Sequence, residues 1–172
     1  MTLASQVSIA RRFQRSIRLD TDIGKVDALQ GFLCQRSAAD GLLGMGTQIA
    51  QTVQRAFTWT GPYGGGKSSL AVALAGLLGP KGVLRNAAAT ALGTSTAERL
   101  LTQLQPSRDG WLVVPVVGRR SDPVPDIGVA LETARRLNGA TRGRPRGEVQ
   151  TARELIDRLV SEAEARPRDG VL

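Results

Sequence analysis

The chain has 172 residues, of which 41% are hydrophobic and 22% charged, so it is long enough to bury the core of one globular domain. It contains no histidine, which excludes a Ser-His-Asp triad, a Cys-His pair and a histidine-ligated metal within this chain. Its one cysteine, Cys34, excludes an internal disulfide and a zinc cluster. We predict a small buried side chain or inert thiol at Cys34, and a reducing, cytoplasmic location.

The formal net charge is +8, and all but Lys25, Lys67 and Lys81 of the 23 basic residues are arginine. Such an excess is typical of proteins that contact nucleic acid. A GC-rich genome would explain the arginine bias equally well, and aromatic residues, which stack on bases, make up only 3% of the chain. No apolar run approaches the roughly 20 residues of a membrane span, so we expect no membrane partner.

The N-terminal residues 1–20 form a basic arm, with four arginines before the first acid, Asp20. This composition fits a mitochondrial transit peptide, or an arm that leads into a short strand at Arg15–Asp20. We favour the arm. A weak helix is predicted at 35–45, where several glycines interrupt the pattern.

Residues 56–60 predict a strand, because Phe57 and Trp59 share one face at period two. From Lys67 the apolar residues change to helical spacing, and Gly79-Pro80 ends that helix. Further along, the sequence predicts a helix at 94–104, a turn at 106–110, a strand at 111–117 and a helix at 126–137. Because Pro115 lacks an N–H group, the strand at 111–117 is expected at the edge of the sheet or with a bulge. The resulting units are a nucleotide-binding domain at 21–138, a Gly/Arg linker at 139–147 and an amphipathic helix at 148–165.

Between the predicted strand and helix, Gly61 to Ser68 satisfies the pattern G-x-x-x-x-G-K-[ST]. Glycines at 61, 64, 65 and 66 permit positive φ and leave no Cβ between the backbone and phosphate oxygens. Successive N–H groups can then form an anion-binding nest next to the positive N-terminal end of a helix. In this reading Lys67 reaches the β- and γ-phosphates, Ser68 holds Mg²⁺ and Ser69 touches the α-phosphate.

The segment GPYGGGKSS resembles the Walker A motif of P-loop NTPases. The FTWT stretch before it and the LAVALAGLLG helix after it are similar to those of AAA+ or STAND-type ATPases. More loosely, residues 10–137 resemble ATP-binding proteins of bacterial antiphage defence systems. The resemblance implies ATP with Mg²⁺ as cofactors and an α/β fold whose mostly parallel sheet is flanked by helices. No Asn-Lys-x-Asp sequence, which would read guanine, occurs.

A hydrolytic P-loop enzyme also needs an acidic residue at the end of a second core strand. The only suitable apolar run, Leu112 to Val117, is followed by Gly118-Arg119-Arg120, and the next acids, Asp122 and Asp126, lie beside prolines. Arg119-Arg120 are interpreted as phosphate-facing arginines or as solvated side chains, and Arg142, Arg144 and Arg146 as a lid or a solvated linker.

We therefore expect an incomplete core, in an ATP-binding module that belongs to a larger ATPase or is completed by further domains or protein subunits. Two alternatives are a small-molecule kinase that uses the same loop, and a basic nucleic-acid-associated protein with vestigial nucleotide binding.

Overall fold

The structure is a computed structural model that describes residues 16–138, 147–166 and 169–172. In these residues the fold is all-helical, with no strand. The α-helices are α1 Leu19–Asp22, α2 Arg36–Gln51, α3 Lys67–Leu78, α4 Val83–Leu92, α5 Thr94–Leu104, α6 Pro123–Leu137 and α7 Ala152–Glu164, and a 3₁₀ helix spans Val26–Leu29.

The expected α/β fold with a mostly parallel sheet is therefore wrong. Residues 56–60 and 111–117 form no strand. Within the strand predicted at Arg15–Asp20, residues 16–18 form no strand, Leu19 starts α1, and Arg15 lies outside the described residues. The one β-type contact in the described chain is a parallel bridge between Leu112 and Val171. Its hydrogen bonds run from Leu112 N–H to the Gly170 carbonyl at 3.0 Å and from Leu172 N–H to the Leu112 carbonyl at 2.8 Å.

The segment 56–60 still has the predicted alternation, since Phe57 and Trp59 are half-buried against the core whereas Thr58 and Thr60 are exposed. A segment becomes a strand only when a second segment completes its hydrogen-bond ladder, and no such segment lies beside it in the described residues. The missing partner segment is thus the physical reason for the error.

Helix α3 is the centre of the fold. Every residue from Val72 to Leu78 is buried, as expected for a helix that is apolar on all sides. Helices α2, α4 and α5 and the 3₁₀ helix supply the rest of this core, while Leu112, Leu131 and Ala134 form a smaller one under α6.

Several predicted helices are confirmed. Helix α5 has the predicted bounds, α2 continues beyond the predicted segment to Gln51, and α7 lies within 148–165. Helix α6 starts at Pro123, three residues before the prediction, because Asp122 caps it by accepting a hydrogen bond from Val124 N–H at 3.0 Å. Apart from Gly147, the predicted linker lies outside the described residues.

None of the helices in the described ranges is both long enough and apolar enough to cross a membrane.

Candidate phosphate-binding site

The glycine-rich loop joins the segment at 54–62, which has no regular secondary structure, to the first residue of α3, Lys67. Gly64 and Gly66 have φ values of +77° and +75°, in the left-handed region that favours glycine. At Gly65 a Cβ would lie 3.1 Å from the carbonyl oxygen of Pro62, tighter than most such contacts. The loop therefore depends on glycine at these positions.

Gly66 is the N-cap of α3, and its carbonyl accepts the first helical hydrogen bond, from Leu70 N–H at 2.9 Å. The N–H groups of Lys67, Ser68 and Ser69 have no acceptor in the part of the chain that the structure describes. No side chain caps α3, and its first turn contains no acid. The loop thus leaves a set of adjacent donors at the positive end of the central helix.

The side chain of Lys67 folds back over the same loop. Its Nζ donates to the carbonyl oxygens of Gly61 at 2.9 Å and Pro62 at 2.7 Å. An ammonium group has three donors, and the third has no acceptor among the described residues. The positive charge is therefore held at the loop with one donor left for an anion.

Ser68 and Ser69 follow Lys67 in the first turn of α3 and are half-buried. Neither hydroxyl makes a hydrogen bond within the described ranges, so both can serve a ligand. The described residues contain no group of three or more acidic, cysteine or histidine side chains that would hold a metal by themselves. A metal at this loop would need oxygen atoms from its ligand besides the Ser68 hydroxyl.

A cleft of about 760 Å³ opens directly beside the loop. Its walls include residues that no sequence motif indicated as part of a site, among them Phe32, Gln35, Ser37 and the exposed Thr58 and Thr60. Trp59 also lines it, and the 3.6 Å between Phe32 Cε2 and a Cβ built on Gly66 places that ring against the loop. The cleft combines flat apolar surface with hydroxyl and amide groups.

The acids and arginines considered for hydrolysis do not reach this cleft. Asp122 caps α6, and Arg119 and Asp126 line a different groove, which runs along the C-terminal half of α3. Arg120 is exposed, whereas Arg142, Arg144 and Arg146 lie outside the described residues. The described lining of the cleft includes no carboxylate.

Two other side chains near the site can be placed. Tyr63 is 96% exposed, so its side chain does not pack against the core. Cys34 is half-buried, and desolvation raises the pKa of its thiol, which disfavours the reactive thiolate.

The chain matches no family model, no curated protein and no solved structure.

Proposed function

We propose that this chain binds a nucleoside triphosphate, ATP with Mg²⁺, through the loop Gly61 to Ser68. The observation that carries the proposal is the convergence of the Lys67 ammonium with the unpaired N–H groups of Lys67, Ser68 and Ser69. The ammonium and the N–H groups are donors for phosphate oxygens, and neither is neutralised by an acid. The Ser68 hydroxyl would contribute to holding Mg²⁺, which offsets phosphate charge when bound.

The cleft beside the loop is the place for the nucleoside. Its volume of about 760 Å³ lies within the range of small-molecule sites. The rings of Phe32 and Trp59 offer faces for an aromatic base, and Gln35, Ser37 and Thr58 offer hydrogen-bonding groups. Phosphates at the loop and a base in the cleft fit one continuous ligand.

Binding is proposed here without hydrolysis by this chain alone. Support comes from the lining of the cleft, which holds no carboxylate in the described ranges to position water or share the metal. We propose that the chain acts as part of a larger or partner-completed ATPase, in which further domains or subunits supply that group.

The proposal is tested by titrating the chain with ATP and Mg²⁺ and comparing Lys67→Ala with Lys25→Ala. Lys25 is an exposed lysine that lines no described cleft. Its substitution removes the same charge as Lys67→Ala and therefore serves as the control. Loss of the Lys67 contact should cost roughly 1.5–3 kcal/mol, or about tenfold to over a hundredfold in affinity. Equal affinities of the two variants would refute the assignment of the site. Phosphate release by the isolated wild-type chain would refute the need for a partner.

A further inference from the structure

A second cleft, of about 720 Å³, lies at the other end of α3 and is lined by Lys81, Arg85, Asn86, Ser107 and Arg108. The remaining lining residues are apolar, and none of the described lining residues is acidic. The 12-residue helix α3, roughly 18 Å long, separates the glycine-rich loop from Lys81 along the chain, and the two clefts share no lining residue. The cleft is therefore distinct from the proposed nucleotide site.

Backbone contacts hold the basic residues of this cleft together. Lys81 N–H donates to the Arg108 carbonyl at 2.8 Å, and Trp111 N–H donates to the Leu78 carbonyl at 2.8 Å. Gly110 has a φ of +74°, and a Cβ there would clash with the carbonyl carbon of Gly79. These contacts fix the turn after α3 against the turn at 106–110, so Lys81 and Arg108 project from one platform.

Arg85 forms the half-buried side of the cleft. Its guanidinium donates to the carbonyl oxygens of Gly79 and Ser107, the latter at 2.8 Å from Nη2. Nη1 has no acceptor among the described residues, so it remains a donor. The nearest carboxylate that acts on Arg85 is Asp169, which also accepts a hydrogen bond from Ser107 N–H at 2.7 Å. The described lining holds three cations and no acid, so the lining itself is positive.

We propose that this cleft binds the phosphodiester backbone of a nucleic acid, with Lys81, Arg85 and Arg108 contacting phosphate oxygens. Three cations with little opposing charge attract a polyanion, and the net charge of +8 supports the same encounter. The cleft has no aromatic lining, which favours contact with the backbone over stacking on bases. This inference does not rest on nucleotide binding at the glycine-rich loop.

The test measures the binding of a short labelled DNA duplex by fluorescence anisotropy over a range of salt concentrations. The double variant K81Q/R108Q is compared with R36Q/R153Q, which loses the same charge from exposed positions on α2 and α7. Arg85 is left intact because it also supports the backbone of both turns. The loss of two phosphate contacts should reduce the slope of log affinity against log salt by about 1.8, and should weaken binding by tens of fold near 0.1 M salt.

Equal slopes and affinities for the two double variants would mean diffuse attraction and would overturn the proposal. Saturable binding of inorganic phosphate by the cleft without any binding of the duplex would overturn the nucleic-acid assignment. Retention of duplex binding by Lys67→Ala, together with retention of ATP binding by K81Q/R108Q, is the expected result for two independent sites. Thermal unfolding of each variant confirms that it is folded.

Discussion

The substitution Gly66→Ala tests the geometry on which the candidate phosphate site depends. An alanine at a φ of +75° costs about 1–2 kcal/mol, because its Cβ approaches the following carbonyl oxygen. The new methyl would meet Phe32 Cε2 at 3.6 Å, an ordinary contact, so little steric cost is added. For a chain of 172 residues we expect the Tm to fall by about 2–8 °C.

The assay is thermal unfolding with and without ATP and Mg²⁺, with Gly118→Ala as the control. Gly118 has no atom within 4 Å of a built Cβ and no positive φ, so its substitution should change stability by less than about 0.5 kcal/mol. Ligand at about 100 times its Kd stabilises a protein by about 2.7 kcal/mol, and this gain should shrink in Gly66→Ala because the N–H groups after Gly66 are displaced. An unchanged Tm in Gly66→Ala would refute the left-handed turn. An unchanged ligand-induced gain would refute its role in binding.

Two further predictions concern the scaffold. Gly128→Ala in α6 would place a methyl 2.7 Å from the buried Val149 and should lower the free energy of unfolding by about 1–3 kcal/mol. Gly44→Ala in α2 meets no atom within 4 Å and should raise the free energy of unfolding by up to about 1 kcal/mol. Chemical denaturation measures both, and changes of the same sign would contradict the packing of α6. The N–H of Gln150 and the side chain of Arg158 lower the pKa of Glu154, so its stabilisation of the folded state is complete above the ordinary pKa and is lost as the pH falls through the folded one. The Tm of wild type should therefore exceed that of Glu154→Gln at neutral pH and approach it in acid, and a pH-independent difference would contradict this.

The helices were predictable where the apolar spacing and the end signals coincide. Helix α5 has leucines at helical spacing, and α3 begins after the glycines and ends at Gly79-Pro80. Helix α4 was not predicted, because its buried side is made largely of Ala88 and Ala91, which give little contrast with the rest of this alanine-rich chain. A helix that packs through small side chains leaves a weak pattern in one sequence.

The absence of a sheet from the described residues was not predictable from the same kind of evidence. The alternation of Phe57 and Trp59 correctly indicated which side chains face the core, but it carries no information on whether a neighbouring segment completes a ladder. Pairing is a tertiary property, whereas positive φ at Gly64 and Gly66 and the position of Lys67 at the start of a helix are local ones. The loop was therefore predictable although the fold around it was not. The cleft walls at Phe32 and Gln35, about thirty residues earlier in the chain, gave no local signal.

The distinction between local and tertiary structure also bears on how strongly the loop could bind phosphate when no sheet lies beside it in the described residues. Its N–H donors belong to the first turn of α3, whose residues from Val72 onward are buried on every side. Because packing fixes the helix, a phosphate would have to order the exposed loop glycines but not the donors themselves. If the loop binds phosphate as proposed, the entropic cost would fall on Gly61 to Gly66, and the enthalpic contacts would come from an element that is already ordered. Substitutions that stiffen the loop in its present conformation should strengthen binding, while those that weaken the packing of α3 should reduce affinity and stability together.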